Sequence, residues 1–239
     1  MKKLSFIDDE KVLSGLGKYY ELLLEWNEKI NLTAITEEDE VYTKHFEDSL
    51  AIVNIRNEIS DLIGKDIFTD EISLADIGTG AGFPGLVIAV AFKNIRVTLV
   101  DSLNKRVDFL NEVISSLGID NAVAIHSRAE DLARDPGYRE NFDIAVSRAV
   151  ARLNLLSEYC LPFVRQGGLF IPYKSGDSKE EIKEAENAVN ILGGEITGIK
   201  DFKLPQTDIE RSLILIKKIE NTPEKYPRPA GKASKKPLI

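Results

Sequence analysis

An apolar run, Leu74-Ala75-Asp76-Ile77, leads straight into Gly78-Thr79-Gly80-Ala81-Gly82-Phe83-Pro84-Gly85, and this junction limits the possible folds more than any other stretch. Glycine at every second position lets a backbone turn sharply, because a residue without Cβ tolerates positive φ. Pro84 suits the first turn of a helix, where a missing N–H costs nothing. Strand, tight turn and helix in that order belong to a parallel α/β sheet, and the chain beyond residue 72 repeats the alternation. Apolar runs at 73–77, 96–100, 122–126, 144–147, 169–173, 195–202 and 211–218 are expected as strands. Helices are expected near 86–92, 105–117, 153–164 and 179–192, with Gly118 and Gly193 as left-handed C-caps. Only residues 203–210 separate the last two strands, too few for a helical crossover, so these should form a hairpin. The expectation is an α/β, doubly wound, Rossmann-like sheet of seven strands, one of them antiparallel.

Ahead of the sheet, Val12, Leu16, Tyr19, Leu23, Trp26 and Ile30 recur at spacings of four and three, one apolar helical stripe. Thr36 before Glu37-Glu38-Asp39-Glu40 reads as an N-cap with acids in the first turn, followed by a helix over 41–63 that ends near Gly64. Residues 1–65 are therefore expected as an N-terminal helical cap, 66–219 as the main domain and 220–239 as a basic tail. Trp26 is expected in the core and not as a base-stacking platform. A length of 239 residues suits one α/β domain with such an appendage. The net charge of −8 suits a dissolved protein and does not advertise nucleic-acid binding. Cys160 is the only cysteine, so neither an intramolecular disulfide nor a cysteine-only zinc site is available, and with two histidines no metal is expected. The opening apolar stretch stops at Asp8, so no signal peptide is expected. No run approaches 18 apolar residues, and a cytoplasmic location without a membrane partner follows as an expectation.

The glycine spacing narrows the ligand. Counted from Gly78, the sixth position is Phe83, so the dinucleotide pattern G-x-G-x-x-G fails. Asp76 instead opens D-x-G-x-G-x-G, through Gly78, Gly80 and Gly82, a form similar to that of class I methyltransferases. With no pyrophosphate to accommodate, an acid at the loop entry can help hold the amino-acid part of S-adenosylmethionine. Asp101 ends the second strand, about where a ribose diol would be gripped, although alone it reads equally as a helix N-cap. Ser127-Arg128-Ala129-Glu130-Asp131 follows the third strand and would face adenine, with Glu130 as a surface acid the plainer alternative. Arg148 stands at the carboxyl edge of the fourth strand, where open α/β sheets bind ligands.

Further pieces carry a closer likeness: Trp26-Asn27-Glu28-Lys29-Ile30-Asn31-Leu32-Thr33, His45-Phe46-Glu47-Asp48-Ser49-Leu50, Asp101-Ser102-Leu103-Asn104-Lys105-Arg106, Ser147-Arg148-Ala149-Val150-Ala151 and Tyr226-Pro227-Arg228-Pro229-Ala230-Gly231-Lys232. With the glycine loop, they make the chain resemble, nearly end to end, the RsmG (GidB) family of bacterial enzymes that methylate N7 of a guanine in 16S ribosomal RNA. The resemblance implies that Gly78, Phe83, Ala129, Glu130 and Arg148 contact S-adenosylmethionine or its surroundings. It implies 16S rRNA or a small-subunit particle as partner. A monomer is expected, since nothing suggests an obligate partner helix. Thr79 and Ser147 depart from the family's usual residues, without added bulk.

Residue chemistry agrees. Guanine N7 presents a lone pair in the base plane, so methylation there needs alignment and no proton removal. No general base stands out. The chain lacks the Asn/Asp-Pro-Pro-aromatic stretch of amine methylators, and Cys160, inside an expected helix, reads as a buried small hydrophobe and not the thiolate of a pyrimidine methylator. Arg148 is the one candidate for positioning the base, through guanine O6 or a phosphate, or else it pairs with an acid of the cofactor pocket. For RNA, the tail sets Lys225, Arg228, Lys232, Lys235 and Lys236 against Glu224, and two readings stay open, a segment that neutralises phosphates and orders on the particle and a disordered solubilising tail. Arg152 and Lys174 extend the basic surface. His45 and Asp48, three apart, share a helical face without an assigned chemical role. Three other readings stay open: a small-molecule methyltransferase, an NAD-dependent oxidoreductase disfavoured by the glycine spacing, and a non-catalytic ribosome-assembly factor that keeps the cofactor as a structural ligand.

Overall fold

The computed structural model describes residues 3–176 and 178–239; Met1 and Lys2, which head the stretch considered as a leader, lie outside them. The first helix, α1 (Glu10–Ile30), starts where the Asp9 carboxylate accepts the backbone N–H groups of Lys11 and Val12, and ends on Asn31 in the left-handed region. Its stripe of Leu13, Leu16, Tyr19 and Leu23 is buried. The stretch expected as one helix from 41 is instead broken. After α2 (Glu38–Val41) come a π turn, Tyr42–Glu47, then α3 (Asp48–Leu50), a 3-10 turn, Ala51–Ile55, and α4 (Arg56–Ile63), capped by Gly64. Every residue from 46 to 52 is buried, so this segment has no wet face, and the 3.6-residue period that betrays an amphipathic helix is lost. The expected Thr36 cap is not formed: the helix starts after Glu37, whose side chain makes no capping bond.

The sheet half follows as β1 (Ile72–Ile77), α5 (Gly85–Ala91), β2 (Ile95–Asp101), α6 (Asn104–Leu117), β3 (Ala122–His126), α7 (Ala129–Leu132) and β4 (Phe142–Arg148). Then come α8 (Leu153–Cys160), a 3-10 turn, Leu161–Phe163, and β5 (Val164–Ser175), followed by α9 (Lys179–Ile191), β6 (Gly194–Lys203), β7 (Glu210–Lys218) and α10 (Lys232–Lys235). Pro162 ends α8 before residue 164, because its ring blocks a further α turn. β5 starts five residues before the expected strand; the polar, glycine-bearing Arg165-Gln166-Gly167-Gly168 hides its first half.

The seven strands lie in the order β3-β2-β1-β4-β5-β7-β6. β1 to β5 are parallel, and β7 runs antiparallel to both β5 and β6, which gives the expected hairpin. The chain reverses its direction of winding between β1 and β4, and ligand sites of such sheets open there, beyond the carboxyl ends of the strands. Two apolar cores flank the sheet. One joins α1, the 41–63 segment, α5 and α6 through residues such as Leu16, Phe46, Ile52, Leu86 and Phe109. The other joins α8, α9 and the C-terminal segment through Leu156, Phe163, Val189 and Tyr226. Thr79 and Ser147 both earn hydrogen bonds, to Asp76 Oδ2 and to the Ile77 carbonyl, each at 2.7 Å.

Candidate active site

Three glycines after β1 hold positive φ: 72° at Gly78, 61° at Gly80 and 95° at Gly82. A Cβ on Gly78 would lie 2.5 Å from Val150 Cγ2, so this position needs glycine for both conformation and space. The turn is tied to β2 from two sides. The Gly78 and Thr79 N–H groups donate to the Val100 carbonyl, and the Gly80 N–H donates to Asp101 Oδ2 at 2.9 Å. Asp101 Oδ1 accepts the Leu103 N–H at 2.9 Å. Asp101 thus serves the turn and also faces the pocket beside it.

That pocket, of about 180 Å³, is bounded by Gly78, Val100, Asp101, Ser102, Ser127, Ala129, Glu130, Val150 and Tyr159 among others. Its apolar floor and its rim of one carboxylate from β2 and another from α7 suit a purine nucleoside, with a diol toward Asp101. The residues present therefore fit the nucleoside portion of S-adenosylmethionine. Of the residues expected to hold the cofactor, Gly78, Asp101, Ala129 and Glu130 meet here. Asp76 does not. It is fully buried behind the turn, where Oδ2 accepts from Thr79 Oγ1 and the Gly85 N–H, and Oδ1 has no partner. Burial raises its carboxyl to about 6 against the pull of these two bonds. Direct contact with the amino-acid part gives way to bracing of the loop from beneath.

Arg148 belongs to a second, larger chamber, and Phe83 lies behind its wall, lining neither chamber. Phe83 is buried between Tyr19 and the imidazole of His45, which stacks on it at 4.4 Å. Arg148 lies over the same ring at 5.3 Å and donates to Asp48 Oδ2 at 2.8 Å. Arg211 Nε donates to the other oxygen, Asp48 Oδ1, at 3.0 Å. The acid that pairs Arg148 thus comes from the helical cap and not from the cofactor pocket. Two guanidinium groups on one buried carboxylate leave the site positive. Burial, then the neighbouring Arg148, lowers His45 to about 4, so the ring is neutral near pH 7.

His45, Asp48, Arg148 and Arg211 line a cleft of about 610 Å³ with Lys44, Val150, Arg152, Tyr173, Lys174 and Glu181. Five bases, Lys44, Arg148, Arg152, Lys174 and Arg211, face two acids, Asp48 and Glu181, a local excess in an acidic chain. Lys174 is partly engaged, donating to Glu181 and to the Ala151 carbonyl. Val150, 41 % exposed, lines both chambers.

The tail is not a free arm. Arg228 embraces the fully buried Glu158 of α8 with its backbone N–H and its guanidinium, which withdraws Arg228 from the phosphate-contacting set. Lys232, Lys235 and Lys236 are exposed on and beside α10 but do not line the cleft. Cys160 is buried, as expected of a small hydrophobe. Trp26 packs against the first core, its ring 5.7 Å from that of Phe109. Among the described residues no helix is long and apolar enough to cross a membrane, and no cluster of His, Cys, Asp and Glu could hold a metal. Sequence reasoning missed Arg211, Tyr159 and Val150. Arg211 carries no local signal, since only the antiparallel docking of β7 beside β5 brings it to Asp48.

The sheet order and glycine turn define the fold of a class I, S-adenosylmethionine-dependent methyltransferase. A geranyl diphosphate C-methyltransferase from Streptomyces coelicolor A3(2), solved with S-adenosyl-L-homocysteine, has the same fold: the TM-score is 0.51 at 15% identity, over 84% of this chain and 98% of that one. Residues 13–213 match the family described as rRNA small subunit methyltransferase G, and the chain belongs to that family. The ribosomal RNA small subunit methyltransferase G of Lachnoclostridium phytofermentans is 53% identical over 221 residues, 92% of this chain and 87% of that protein. Its counterpart in Alkaliphilus metalliredigens is 48% identical over 237 residues, 99% of this chain and 95% of that one.

Proposed function

We propose that this rRNA methyltransferase transfers a methyl group from S-adenosylmethionine to N7 of a guanine in 16S rRNA. It acts in the cytoplasm, as a monomer, on the rRNA or a small-subunit particle. The observation that carries the reading is the meeting, at Val150, of a nucleoside-sized pocket beside the glycine turn with a wider cationic cleft. The cofactor, when bound, supplies an electrophilic methyl group on a sulfonium sulfur. What the chain must add is placement. Gly78 leaves room for the nucleoside, the Gly80 N–H fixes Asp101, which holds its hydroxyls, and Ala129 and Glu130 meet the adenine edge. Asp76 keeps the turn rigid from behind.

On the acceptor side, guanine N7 carries its lone pair in the ring plane and loses no proton, so alignment is the main task. A neutral His45 and a fully paired Asp48 match a site with no need of a general base. Arg148, held by Asp48 and by Phe83, is the positioning group for O6 or a phosphate of the target nucleotide. Lys174 and Arg211 extend that grip, and Lys232, Lys235 and Lys236 are available to more distant phosphates.

The test is transfer of tritiated methyl from the cofactor to small subunits or their RNA, against a panel of metabolites, with mapping of N7-methylguanine in 16S rRNA. Label in the RNA and loss of one N7-methylguanine from cells lacking the protein are expected. Label confined to metabolites, or an unchanged map, overturns the reading.

A further inference from the structure

The adenine side of the cofactor pocket has two walls from different elements: Ala129 and Glu130 open α7, and Tyr159 lies near the end of α8. Both are short helices, of four and eight residues, so neither is rigid alone. Four residues of the C-terminal segment, Thr222, Tyr226, Pro227 and Arg228, span the space behind them. From the α7 side, Arg139 donates to the carbonyls of Tyr226 at 3.0 Å and Thr222 at 2.7 Å, and Arg134 donates to that of Pro227. From the α8 side, Glu158 accepts the Arg228 backbone N–H at 2.8 Å and its Nε at 2.9 Å. Further along, Asn154 of α8 donates to the Leu238 carbonyl at 3.1 Å. Tyr226 is buried in the same apolar cluster as Leu132, Ala133, Leu156 and Cys160, so the strap is bonded to α8 and to the turn that follows α7, and packed against both walls.

Resting on the reading of this pocket as the S-adenosylmethionine site, we propose that residues 222–228 form a strap that sets the gap between α7 and α8, with Arg228 as a positioning residue for the adenosyl group. Glu158 precedes Tyr159, so tension on Arg228 reaches the pocket wall one residue away. The basic tail is then a part of the cofactor site, built from charges that composition alone would give to RNA. A strap of this kind acts on affinity by preorganising the pocket, not on the chemical step.

The experiment uses the full chain and S-adenosyl-L-homocysteine as calorimetric probe, with methyl-transfer kinetics beside it. Removing Arg228 alone would strand a buried carboxylate, so the main variant replaces both partners, Arg228→Met with Glu158→Met; apolar replacement of a buried ion pair usually keeps a fold intact. In it the probe is expected to bind about tenfold more weakly, and KM for the cofactor to rise in parallel, with kcat at saturation within about twofold and KM for RNA unmoved. Arg134→Ala, at an exposed position that leaves Glu158 paired, is expected to give a loss of about threefold and decides the matter if the double variant fails to fold. Arg228→Lys, which keeps the charge and the backbone bond, is expected to restore most of the affinity. Probe affinity within twofold of wild type in the folded variants overturns the strap, as does a higher KM for RNA with cofactor affinity intact. Failure of the wild-type chain to bind the probe is a different result, since it removes the cofactor reading itself and the strap with it.

Discussion

At the residue scale, the least expected group is Asp76, a carboxylate sealed behind the loop with one oxygen unpartnered. Its folded pKa of about 6 lies above the ordinary aspartate value of 3.8, so the native state holds the proton more tightly than the unfolded chain. The sign follows by linkage: this contribution to stability is complete below about pH 4 and is lost as pH rises through about 6. Asp76→Asn does not titrate, and its stability relative to wild type should increase between pH 4 and 7 by on the order of 3 kcal/mol, read from urea unfolding at both pH values. A constant difference would show that Asp76 ionises normally. Gly78→Ala combines a positive φ costing about 1–2 kcal/mol with a Cβ driven into Val150, so cofactor binding should weaken by more than about tenfold in a folded protein. Arg148→Ala removes one of the two guanidinium groups on Asp48. With Arg211 still in place the loss of stability should fall below the roughly 3–5 kcal/mol typical of a broken buried pair, while methyl transfer collapses. Unchanged transfer and unchanged cofactor affinity would remove Arg148 from the site.

At the element scale, the depressed Asp143 carboxyl makes a second prediction. Burial opposes its ionisation, but the Ser73 N–H, Lys65 and Arg165 bring it down to about 2, joining β1, β4 and β5 at the amino end of the sheet. Its stabilisation is present above about pH 4 and lost as pH falls toward 2, so Asp143→Asn should cost roughly 2 kcal/mol at pH 7 and little at pH 2. Much of the element order was legible because the apolar runs and glycine stops of a parallel sheet are local features. The break in the helix after Val41 was not. Seven buried residues in a row, 46 to 52, carry no period, and the π turn that carries His45 up to Asp48 sets its Tyr42 and Phe46 rings against Tyr20 and Tyr19 of α1, a contact no local pattern announces. The first half of β5 escaped because Arg165 and Gln166 face other elements' acids and carbonyls, and not a repeating core. The tail misled for another reason: basic composition says nothing about Glu158 waiting, buried, seventy residues earlier.

At the scale of the whole molecule, an acidic chain binds nucleic acid only where its bases are concentrated. The cleft gathers five, two of them shared with Asp48, and the tail adds Lys232, Lys235 and Lys236, so the slope of log K on log[salt] for rRNA binding should lie between roughly −2 and −6. A slope near −8 in a titration with potassium chloride would mean a larger phosphate footprint than this cleft and tail supply. The glycine turn and Asp101 were readable from sequence because they lie within one β1–α5–β2 unit, whereas Val150 and Tyr159, walls of the same pocket, come from later segments and were not. The acceptor half was only partly readable, since Asp48, Arg148 and Arg211 come from three distant segments that the topology alone unites.

Val150 is a wall common to two rooms. Its side chain stands over Gly78 on one side and lines the cationic cleft on the other, so a change in its size alters both at once, and Val150→Ala should be read out in cofactor affinity and in RNA affinity together.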